Sequence, residues 1–404
     1  MFRFIHVSDT HLGYRQYGLI ERERDFYEVF RWVVDRAVEL KVDAILHAGD
    51  MFHSAHPRPV TYEYVYDVLR RCRDAGIRFL VAPGNHELPK SIGVGSPVRV
   101  LAKMGLLEAP LDPGKPYIAR FDGADVIVFS EWASHLLASV NPHSLTQPGK
   151  PVIALAHVTL CDALKQTEGV PEEECLKRRG LQSSQLLNKG YSYIALGDIH
   201  TPWEQRLDKA PPIVYPGSTE YLGVDEYLRN PSRFVYLVEL GDDGVVRRME
   251  RLKIEIVRPW IVVEDSYSKV LSVLSNLKRG QGKEPIVYVR VQGSISQVDR
   301  SRLTSLLDNL RESGVILYYK LEVEDKGVVR QVTQTSTVGR ASIHDVVYEL
   351  ARRCPESVRD KVAKLLVELI ENPYESQVKL VKSMEEDLEV VKCLERVTGG
   401  VLGL

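Results

Sequence analysis

The sequence predicts an α/β fold in which parallel strands alternate with helices and carry a polar site at one edge of a sheet. Three apolar runs near the N-terminus, residues 2–7, 44–48 and 79–82, are typical of buried strands. A stretch with carboxylate, imidazole or amide side chains follows each run, namely Asp9–Gly13, Gly49–His53 and Gly84–Glu87. Ligands of open α/β sheets bind at the carboxyl ends of the strands. Because oxygen and imidazole donors in this mixture suit Mn, Fe or Zn ions, we expect a metal site there.

Length and composition indicate a globular chain with more than one domain. At 404 residues the chain exceeds a typical single core, so we expect two or three domains. No apolar run approaches the roughly 20 residues of a membrane span, and the chain starts directly with a strand, so we expect neither a membrane segment nor a signal peptide. The net charge of −2 is not that of a strongly basic protein. A nucleic acid would therefore have to bind through local patches and metal ions.

The cysteines give an expectation about the cellular compartment. The five are scattered along the chain without a Cys-x-x-Cys pair: Cys72, Cys161, Cys175, Cys354 and Cys393. This spacing predicts neither a disulfide framework nor a zinc knuckle. A reducing, intracellular and cytoplasmic location follows as the expectation.

Two helices and a shorter third one are predicted between and after the first three strands. An apolar stripe indicates a helix over 20–40. The second helix is expected to start at Pro59, since proline is favoured at the first helical position, and to end at Gly76. The short helix contains Val98, Leu101 and Met104. This βαβαβ order predicts a layered sheet with helices on its faces.

From residue 117 to residue 256 the predicted strands come more often. Two of them deliver further polar side chains: the strand over 152–156 leads to His157, and the strand over 193–196 leads to Gly197–His200. The remaining predicted strands are 117–121, 126–130, 213–215, 235–240 and 245–256. A polar insertion follows His157 and contains Lys177–Arg179, which either contacts DNA phosphates or, more commonly for such triplets, is a solvated charge run.

The last third of the chain is predicted to hold a small α/β module and a helical tail. Strands over 260–263, 286–291 and 316–321, with helices over 267–277 and 296–310, make a βαβαβ module. A polar linker follows. The tail has two apolar helical stripes, from Val362 to Ile370 and from Val381 to Val391, which pack either onto a partner or back onto the chain. The predicted domains are 1–257, 258–325, the linker 326–341, and the tail 342–404.

The polar stretches together provide what phosphodiester hydrolysis requires. Two metal ions about 3.5–4 Å apart activate a water molecule and neutralise charge on the phosphate, and a carboxylate bridges them. The order along the chain is Asp9-x-His11, Gly49-Asp50, Gly84-Asn85-His86, His157 and Gly197-x-x-His200. Five motifs, each after a strand, resemble the calcineurin-like metallophosphoesterase superfamily. The resemblance implies a layered βαβ metallophosphoesterase sandwich.

A closer resemblance lies in the residues around these motifs. The stretches Asp9–Tyr14, Gly49–His53 and Tyr215–Ser218 are similar to those of the double-strand-break-repair nucleases of the meiotic-recombination-eleven type, called SbcD in bacteria. The order of phosphoesterase domain, small capping domain, linker and helical tail matches as well. Only the first two thirds of the chain carries motifs of this family.

The resemblance implies a role for each site residue. The first metal is expected on Asp9, His11 and His200, with Asp50 as the bridge. The second is expected on Asn85 and His157. His86 is expected to contact the scissile phosphate and to stabilise charge or protonate the leaving oxygen, while His53 orients the substrate. The family implies two Mn²⁺ ions per subunit, with Mg²⁺ or another divalent ion as the alternative.

One position departs from the family pattern. Asp198 stands where the pattern Gly-His-x-His has an imidazole for the second metal. A carboxylate also ligates Mn²⁺, so we favour ligation by Asp198. In the alternative, the side chain turns away and water takes its place.

Two further stretches have a functional and a structural interpretation. Tyr14–Tyr17 either holds a nucleotide or forms a mobile polar loop. Tyr62, Tyr66 and the segment from Val94 to Met104 match the dimer helices of the family, but intramolecular packing explains exposed aromatic residues equally well.

The leading interpretation is a manganese-dependent DNA nuclease, with 3′–5′ exonuclease and endonuclease activity implied by the resemblance. It would act as a dimer on DNA ends and overhangs, with an SMC-like ABC ATPase (SbcC in bacteria) bound to the tail. The first alternative is a phosphodiesterase or phosphatase that acts on nucleotides or proteins. The second, motivated by Asp198, is a scaffold with a weakened nuclease site.

Overall fold

A computed structural model describes residues 1–88, 95–324, 351, 354–371, 390 and 393. The chain divides into two compact units, Met1–Asp325 and Lys326–Leu404, and each is described by itself. Within the described ranges, no helix is both long enough and apolar enough to cross a membrane.

The strands of the first unit are, in chain order, β1 (Phe2–Val7), β2 (Ala44–His47), β3 (Arg78–Val81), β4 (Tyr117–Arg120), β5 (Asp125–Phe129), β6 (Val152–His157), β7 (Tyr193–Gly197), β8 (Trp203–Gln205), β9 (Ile213–Tyr215), β10 (Phe234–Leu240), β11 (Val246–Lys253), β12 (Trp260–Asp265), β13 (Ile286–Val291) and β14 (Tyr318–Val323). All strands predicted from the sequence are confirmed, with ends that differ by three residues or fewer. The three-residue strand β8 was not predicted.

The helices of this unit are α1 (Ile20–Leu40), α2 (Pro59–Asp74), α3 (Pro97–Lys103), α4 (Cys161–Glu168), α5 (Glu172–Lys177), α6 (Val224–Arg229), α7 (Tyr267–Ser275) and α8 (Gln297–Glu312). Helix α1 has the predicted bounds, and α2 begins at Pro59, as expected from its fixed φ. A 3₁₀ helix covers Glu131–Ala138. The short helices α4, α5 and α6 were not predicted, since each has fewer than nine residues and too little periodicity.

Two sheets pack face to face and form the layered α/β sandwich predicted from the sequence. The first has the order β11-β10-β1-β2-β3, in which β1, β2 and β3 run parallel. The second has the order β4-β5-β6-β7-β9-β8, in which β5, β6, β7 and β9 run parallel. Alternate side chains of both sheets, such as Phe4 and Leu46 from one and Leu155 from the other, bury a shared apolar layer. The parallel strands of each sheet therefore end close to those of the other.

Helices cover the outer faces of this sandwich. Phe30 and Val33 of α1 and Leu69 of α2 pack on the outer face of the first sheet. The outer face of the second sheet is covered in part by Leu137 of the 3₁₀ helix and Ala163 of α4. The parallel strands are buried on both faces, which explains their nearly continuous apolar sequences.

Residues 260–323 form the predicted βαβαβ module. Strands β12, β13 and β14 make a parallel three-stranded sheet in that order. Helices α7 and α8 cover one face, where Val270, Val289 and Leu307 form a separate core. Trp260 of the module packs against Tyr221, which belongs to the part of the chain that forms the sandwich. The exact domain boundaries proposed from the sequence stay predictions.

The expectation of no disulfide framework is wrong. Cys161 and Cys175 form a disulfide in the first unit, and Cys354 and Cys393 form another in the second. Folding brings the paired Cα atoms to 5.4 and 5.7 Å, which is normal for a disulfide. The partners are 14 and 39 residues apart, so a search for close pairs such as Cys-x-x-Cys misses them. The cysteines therefore give no argument for a reducing compartment.

The second unit contains helix α9, Glu356–Glu371, which confirms a helix at the first apolar stripe of the tail. Val358, Val362 and Leu366 form a small apolar cluster with Val390. The predicted linker 326–341 and the second stripe, Val381–Val391 except for Val390, lie outside the described residues.

Candidate metal centre

The polar loops after β1 and β2 run side by side at the carboxyl edge of the first sheet. The backbone N–H of Asp9 donates to the carbonyl of Gly49 at 2.9 Å, and that of His11 donates to the carbonyl of Asp50 at 3.0 Å. The next pair, Leu12 to Met51, continues this pattern at 2.8 Å. These bonds fix two of the three predicted N-terminal motifs relative to each other.

The backbone at this edge adopts an unusual conformation. Asp9, His11, Asp50 and Asp198 have φ values of 51°, 43°, 50° and 106°. Positive φ is unfavourable for residues with a Cβ atom and persists where the surroundings enforce it, which is common at functional sites. Four predicted site residues share this strain.

One group of donor atoms comes from the loops after β1 and β7. The Nε2 atoms of His11 and His200 lie 3.2 Å apart, and His200 Nε2 lies 3.8 Å from Asp9 Oδ1. Asp9 and His11 are fully buried. One atom from each of the three side chains falls within 4.8 Å of the other two. These are the residues that the sequence assigned to the first metal.

A second group surrounds His157 at the end of β6. Its Nε2 atom lies 3.5 Å from Asp50 Oδ1 and 3.6 Å from Asp198 Oδ1. Asp9, Asp50 and His157 also form a cluster within 4.8 Å. Asp50 thus lies between the two groups, as expected of a bridging carboxylate.

Hydrogen bonds at Nδ1 orient two of these imidazoles. His157 Nδ1 lies 2.8 Å from the carbonyl oxygen of Ala48, which can only accept, so Nδ1 donates. His200 Nδ1 lies 2.6 Å from Oε1 of Glu226. Nε2 is consequently the atom that can bind a metal in both side chains. It faces Asp50 and Asp198 in His157, and Asp9 in His200. Partners of this kind are typical of metal-binding histidines.

Two more imidazoles stand beside the first group. His53 Nδ1 lies 3.4 Å from His11 Nδ1, and His86 Nδ1 donates to the carbonyl of His53 at 2.7 Å. His86 Nε2 then faces Asp50 Oδ2 at 3.7 Å. The ring of Tyr14 lies on that of His53, with centroids 4.0 Å apart.

Burial makes the carboxylates of the site difficult to ionise. It raises the pKa of Asp9, although His200 and His157 oppose the shift. It also raises the pKa of Asp50 well above its usual value, against the opposing charge of His157. Glu87, buried behind the loops, has its pKa raised by burial to about 7, although it accepts bonds from the N–H groups of Gly84 and Phe52. Cations near these groups relieve the cost of their charge.

The imidazoles fall into two electrostatic classes. Burial alone would lower the pKa of His157, but Asp50, Asp198 and Asp9 raise it to about 10. Burial also lowers the pKa of His200, but the hydrogen bond and charge of Glu226, together with the charge of Asp9, outweigh this effect and raise the pKa to about 9. Burial lowers the pKa of His53 to about 4 and, with help from His200, lowers that of His11 well below its usual range. The carboxylates thus attract positive charge to His157 and His200, where a metal ion can replace the protons.

The residues present fit a divalent metal. Asp9 Oδ1 and His157 Nε2 are buried and lack a hydrogen-bond partner within the described structure. The space around them depends on two glycines, because a Cβ at Gly84 would lie 2.2 Å from Asp50 Oδ1 and one at Gly49 would lie 2.3 Å from His157 Nδ1. Donors that share one ion are about 3–4 Å apart, which the separations of 3.5 and 3.6 Å match.

The structure brings together all predicted site residues except one. Asn85 lies in the same loop, next to His86, but its side chain is exposed. The sequence missed two residues. The hydroxyl of Thr159 donates to Asp198 Oδ2, and Glu226 holds His200. Thr159 follows His157 by two positions, which puts it near the site without indicating a role, whereas Glu226 is 26 residues from its partner and belongs to no motif.

The structure also describes the two secondary candidates, the stretch Tyr14–Tyr17 and the basic run Lys177–Arg179. Gln16 is buried and donates to the carbonyl of Leu222 at 2.8 Å, while its own oxygen accepts from Arg22 at 2.7 Å. Its role is therefore structural, although Tyr17 in the same stretch is 37% exposed. Arg178 pairs with Glu174 at the exposed surface, which agrees with a solvated charge run.

Comparisons with known proteins give a family and a set of relatives. The family model described as calcineurin-like phosphoesterase matches residues 2–202. The protein named DNA double-strand break repair protein Mre11 from Saccharolobus solfataricus is 28% identical over 420 residues, covering 99% of both chains. The protein of that name from Thermoplasma acidophilum is 29% identical and covers 76% of this chain and 81% of its own. That from Methanocaldococcus jannaschii is 27% identical, with 72% and 76% covered.

Proposed function

We propose, from the premise that this chain belongs to the calcineurin-like phosphoesterase family, that it is a manganese-dependent DNA nuclease. The observation that carries the proposal is the convergence of Asp9, His11, Asp50, His157 and His200 at one edge of the sandwich. DNA as the substrate and double-strand-break repair as the process are supported by the name of relatives that align over 72–99% of this chain. The proposed activities are 3′–5′ exonuclease and endonuclease.

The proposed centre holds two Mn²⁺ ions per subunit, with Mg²⁺ or another divalent ion as the alternative. Asp9, His11 and His200 would hold the first ion, and Asp50 would bridge. Asn85, His157 and Asp198 would hold the second. When bound, such a pair supplies a water molecule of lowered pKa and positive charge for the phosphate oxygens.

We propose a role for the side chain of His86 in bond cleavage rather than in metal binding. Its Nδ1 donates to the carbonyl of His53, so in the neutral ring Nε2 carries a lone pair. In the charged form Nε2 carries a proton on the side that faces Asp50. We propose that this proton goes to the leaving oxygen or that the charged ring stabilises the phosphate.

His53 supports this arrangement through its backbone and its ring. The carbonyl of His53 holds His86, while its ring lies between Tyr14 and His11. The lowered pKa keeps the His53 ring neutral near pH 7. We propose that His53 orients the substrate and sets the position of His86.

The proposed partners are a second copy of the chain and an SMC-like ABC ATPase. Tyr66, Val100 and Met104 are 38%, 45% and 56% exposed, which supports an interface on α2 and α3, whereas Tyr62 packs partly against the core and Val94 lies outside the described residues. Deleting Ser342–Leu404 is expected to abolish ATPase binding and to spare Mn²⁺-dependent cleavage, measured by co-purification and nuclease assay. Unchanged complex formation would contradict the role of the tail. The proposed location is the cytoplasm, on DNA.

One assay separates the proposed function from its alternatives. The protein is incubated with Mn²⁺ and end-labelled duplex DNA, and in parallel with bis(p-nitrophenyl) phosphate. Shortened DNA, absent with EDTA, is the expected result. Turnover of the small phosphodiester alone would indicate a phosphodiesterase of other specificity. Inactivity on both, together with tight ATPase binding, would indicate a scaffold whose centre is weakened by Asp198.

A further inference from the structure

We propose that the carboxylate of Asp198 makes the metal position around His157 less selective for Zn²⁺, and more accepting of Mn²⁺ or Mg²⁺, than an imidazole at the same place would. Asp198 is the ligand that sets this preference, and Thr159 is the residue that positions it. The inference rests on the proposed function, because it assumes a metal ion at each of the two groups of donors.

Asp198 is fixed by contacts at both its backbone and its side chain. Its backbone N–H donates to Asp9 Oδ2 at 3.3 Å, and its Oδ2 accepts from the hydroxyl of Thr159. Its φ of 106° is unfavourable for a residue with a Cβ, and these contacts help to enforce it. The side chain is 28% exposed and its other oxygen, Oδ1, faces His157 Nε2 at 3.6 Å. Asp198 is thus turned into the site rather than away from it.

Thr159 is rigidly placed at the end of β6. Its carbonyl accepts from the N–H of Leu181 at 3.0 Å. The hydroxyl of Tyr215 donates to the carbonyl of Val158 at 2.6 Å and accepts from the N–H of Leu160 at 2.9 Å, so both neighbours of Thr159 are held by one buried side chain. Thr159 and His157 come from the same segment, which couples the position of the carboxylate to that of the imidazole.

The hydrogen bond from Thr159 determines how Asp198 can bind a metal. It engages Oδ2, so we propose Oδ1, which faces His157 Nε2, as the ligand atom. The donors that the structure places around His157 are then two carboxylate oxygens, from Asp50 and Asp198, and one nitrogen. Carboxylate and amide oxygens suit Mg²⁺ and Mn²⁺, whereas imidazole suits Zn²⁺.

The other metal position has a different donor set. Its proposed ligands are oxygens from Asp9 and Asp50 and nitrogens from His11 and His200. With two imidazoles it accepts Zn²⁺ more readily than the position around His157 does. The two positions are therefore expected to differ in selectivity, although they share Asp50.

The test measures metal binding to the full chain. His200→Ala weakens metal binding at the first position, so that binding at the second dominates. Asp198→His and Thr159→Val are each introduced into the His200→Ala variant and into the wild-type chain. Mn²⁺ affinity is measured by calorimetry, and the Mn:Zn ratio after dialysis against equal concentrations is measured by elemental analysis. Thr167→Val, in α4, is the matched control, since its hydroxyl donates only to the carbonyl of Ala163. Circular dichroism verifies that each variant is folded.

We expect Asp198→His to shift the bound Mn:Zn ratio toward zinc by about tenfold or more, and Thr159→Val to weaken Mn²⁺ binding by about 10- to 100-fold, the scale of such supporting contacts. Thr167→Val should change neither quantity. An unchanged ratio in folded Asp198→His, or an unchanged affinity in folded Thr159→Val, would overturn the inference. If the bound Mn:Zn ratio shifts in Asp198→His but the wild-type chain cleaves no DNA, the proposed function is wrong and the inference about Asp198 stands. If the wild-type chain cleaves DNA and the bound Mn:Zn ratio is the same in Asp198→His, the inference about Asp198 is wrong and the proposed function stands.

Discussion

Glu226 holds His200 in the orientation that a metal ligand needs, with Oε1 2.6 Å from Nδ1. The other carboxylate oxygen of Glu226 accepts from Arg233 at 2.9 Å, and Arg233 donates in turn to the carbonyl of His200 at 3.1 Å. Burial alone would raise the pKa of Glu226, but the hydrogen bond and charge of His200, together with Arg233, lower it. Glu226 is therefore ionised at neutral pH and directs His200 Nε2 toward Asp9 and His11.

Removal of this carboxylate should weaken the first metal position. Glu226→Ala is expected to lower Mn²⁺ affinity there by about 10- to 100-fold, because His200 loses its orientation and part of its basicity. Titration calorimetry should show one weakened site and one unchanged site. Glu173→Ala, at an exposed glutamate in α5, is the control. Two unchanged sites in Glu226→Ala would contradict the role assigned to this residue.

Loss of the His86 ring should separate cleavage from metal binding. His86→Ala is expected to abolish DNA cleavage while the protein retains its full Mn²⁺ content, because His86 is not among the proposed metal ligands and its Nδ1 is bonded to the carbonyl of His53. Cleavage of labelled duplex and elemental analysis of the same preparation provide the two measurements. Loss of both metals in this variant would refute the proposed role.

Metal binding should release protons. The raised pKa values of about 10 for His157 and about 9 for His200 mean that both rings are protonated at neutral pH without metal, and Nε2 must lose its proton to bind an ion. Because both values lie above the usual 6.5, these protons contribute stability fully below pH 6.5 and lose that contribution as the pH rises through 9 to 10.

The apparent Mn²⁺ affinity should therefore rise steadily from pH 6.5 toward pH 9. Calorimetry in two buffers of different ionisation enthalpy counts the protons released. We also expect the increase in melting temperature on adding Mn²⁺ to be larger at pH 8.5 than at pH 6.5. An affinity independent of pH over this range would contradict the electrostatic description of the site.

A methyl group at Gly84 should damage the centre. The added Cβ would lie 2.2 Å from Asp50 Oδ1 and 2.7 Å from its backbone nitrogen, so the loop has to move. Gly84→Ala is expected to destabilise the chain by about 1–3 kcal/mol, typical of overpacking, and to lower metal binding. Gly95→Ala is the matched control, since nothing lies within 4 Å of its added Cβ. Equal stability and metal content in both variants would contradict this packing argument.

Asp25 should be essential for holding the βαβαβ module of residues 260–323 against the sandwich. It is almost fully buried and accepts from Arg258 Nε at 2.6 Å, Arg22 at 2.6 Å and Lys283 at 2.9 Å. Breaking such a buried ion pair costs about 3–5 kcal/mol, so Asp25→Asn should lower the free energy of unfolding by that amount. Asp74→Asn, at a side chain that is 62% exposed, should have little effect.

The same residue predicts a dependence on acid. Burial would raise the pKa of Asp25, but the hydrogen bond from Arg258 and the charges of Arg22 and Lys283 outweigh it and lower the pKa below 3.8. Its contribution is therefore present above pH 3.8 and is lost as the pH falls through the lower value of the folded state. Denaturant titrations between pH 5 and pH 2 should show this loss in the unchanged chain and less of it in Asp25→Asn. Parallel curves of unfolding free energy against pH for the two proteins would contradict the contribution assigned to Asp25.

The sequence predicts the elements and the main site because both depend on local patterns. Apolar runs such as Phe2–Val7 mark buried parallel strands, and a polar loop after a parallel strand must lie at the carboxyl edge of its sheet. For this reason the amino-acid sequence alone is enough to place Asp9 and Asp50 together, whereas His157 ends a strand of the second sheet and was assigned to the site through the family resemblance. Helix α1, of 21 residues, has the predicted bounds because apolar residues recur at helical spacing from Phe26 to Ala37.

The remaining features depend on contacts between distant parts of the chain. Strand β10 returns to pair with β1, which adds β10 and β11 to the first sheet, and nothing local to residues 234–240 specifies that partner. The same reason applies to the Cys354–Cys393 disulfide and to Glu226. Thr159 was missed because a threonine after a strand has many ordinary roles. Only the folded position of Asp198 shows that the Thr159 hydroxyl holds this carboxylate.

Anomalous diffraction from crystals grown with Mn²⁺ is the most direct test of the two-metal centre. We expect two manganese peaks that share Asp50, one bound by Asp9, His11 and His200 and the other bound by His157 and Asp198. A single peak, or a second peak remote from Asp198, would contradict this expectation.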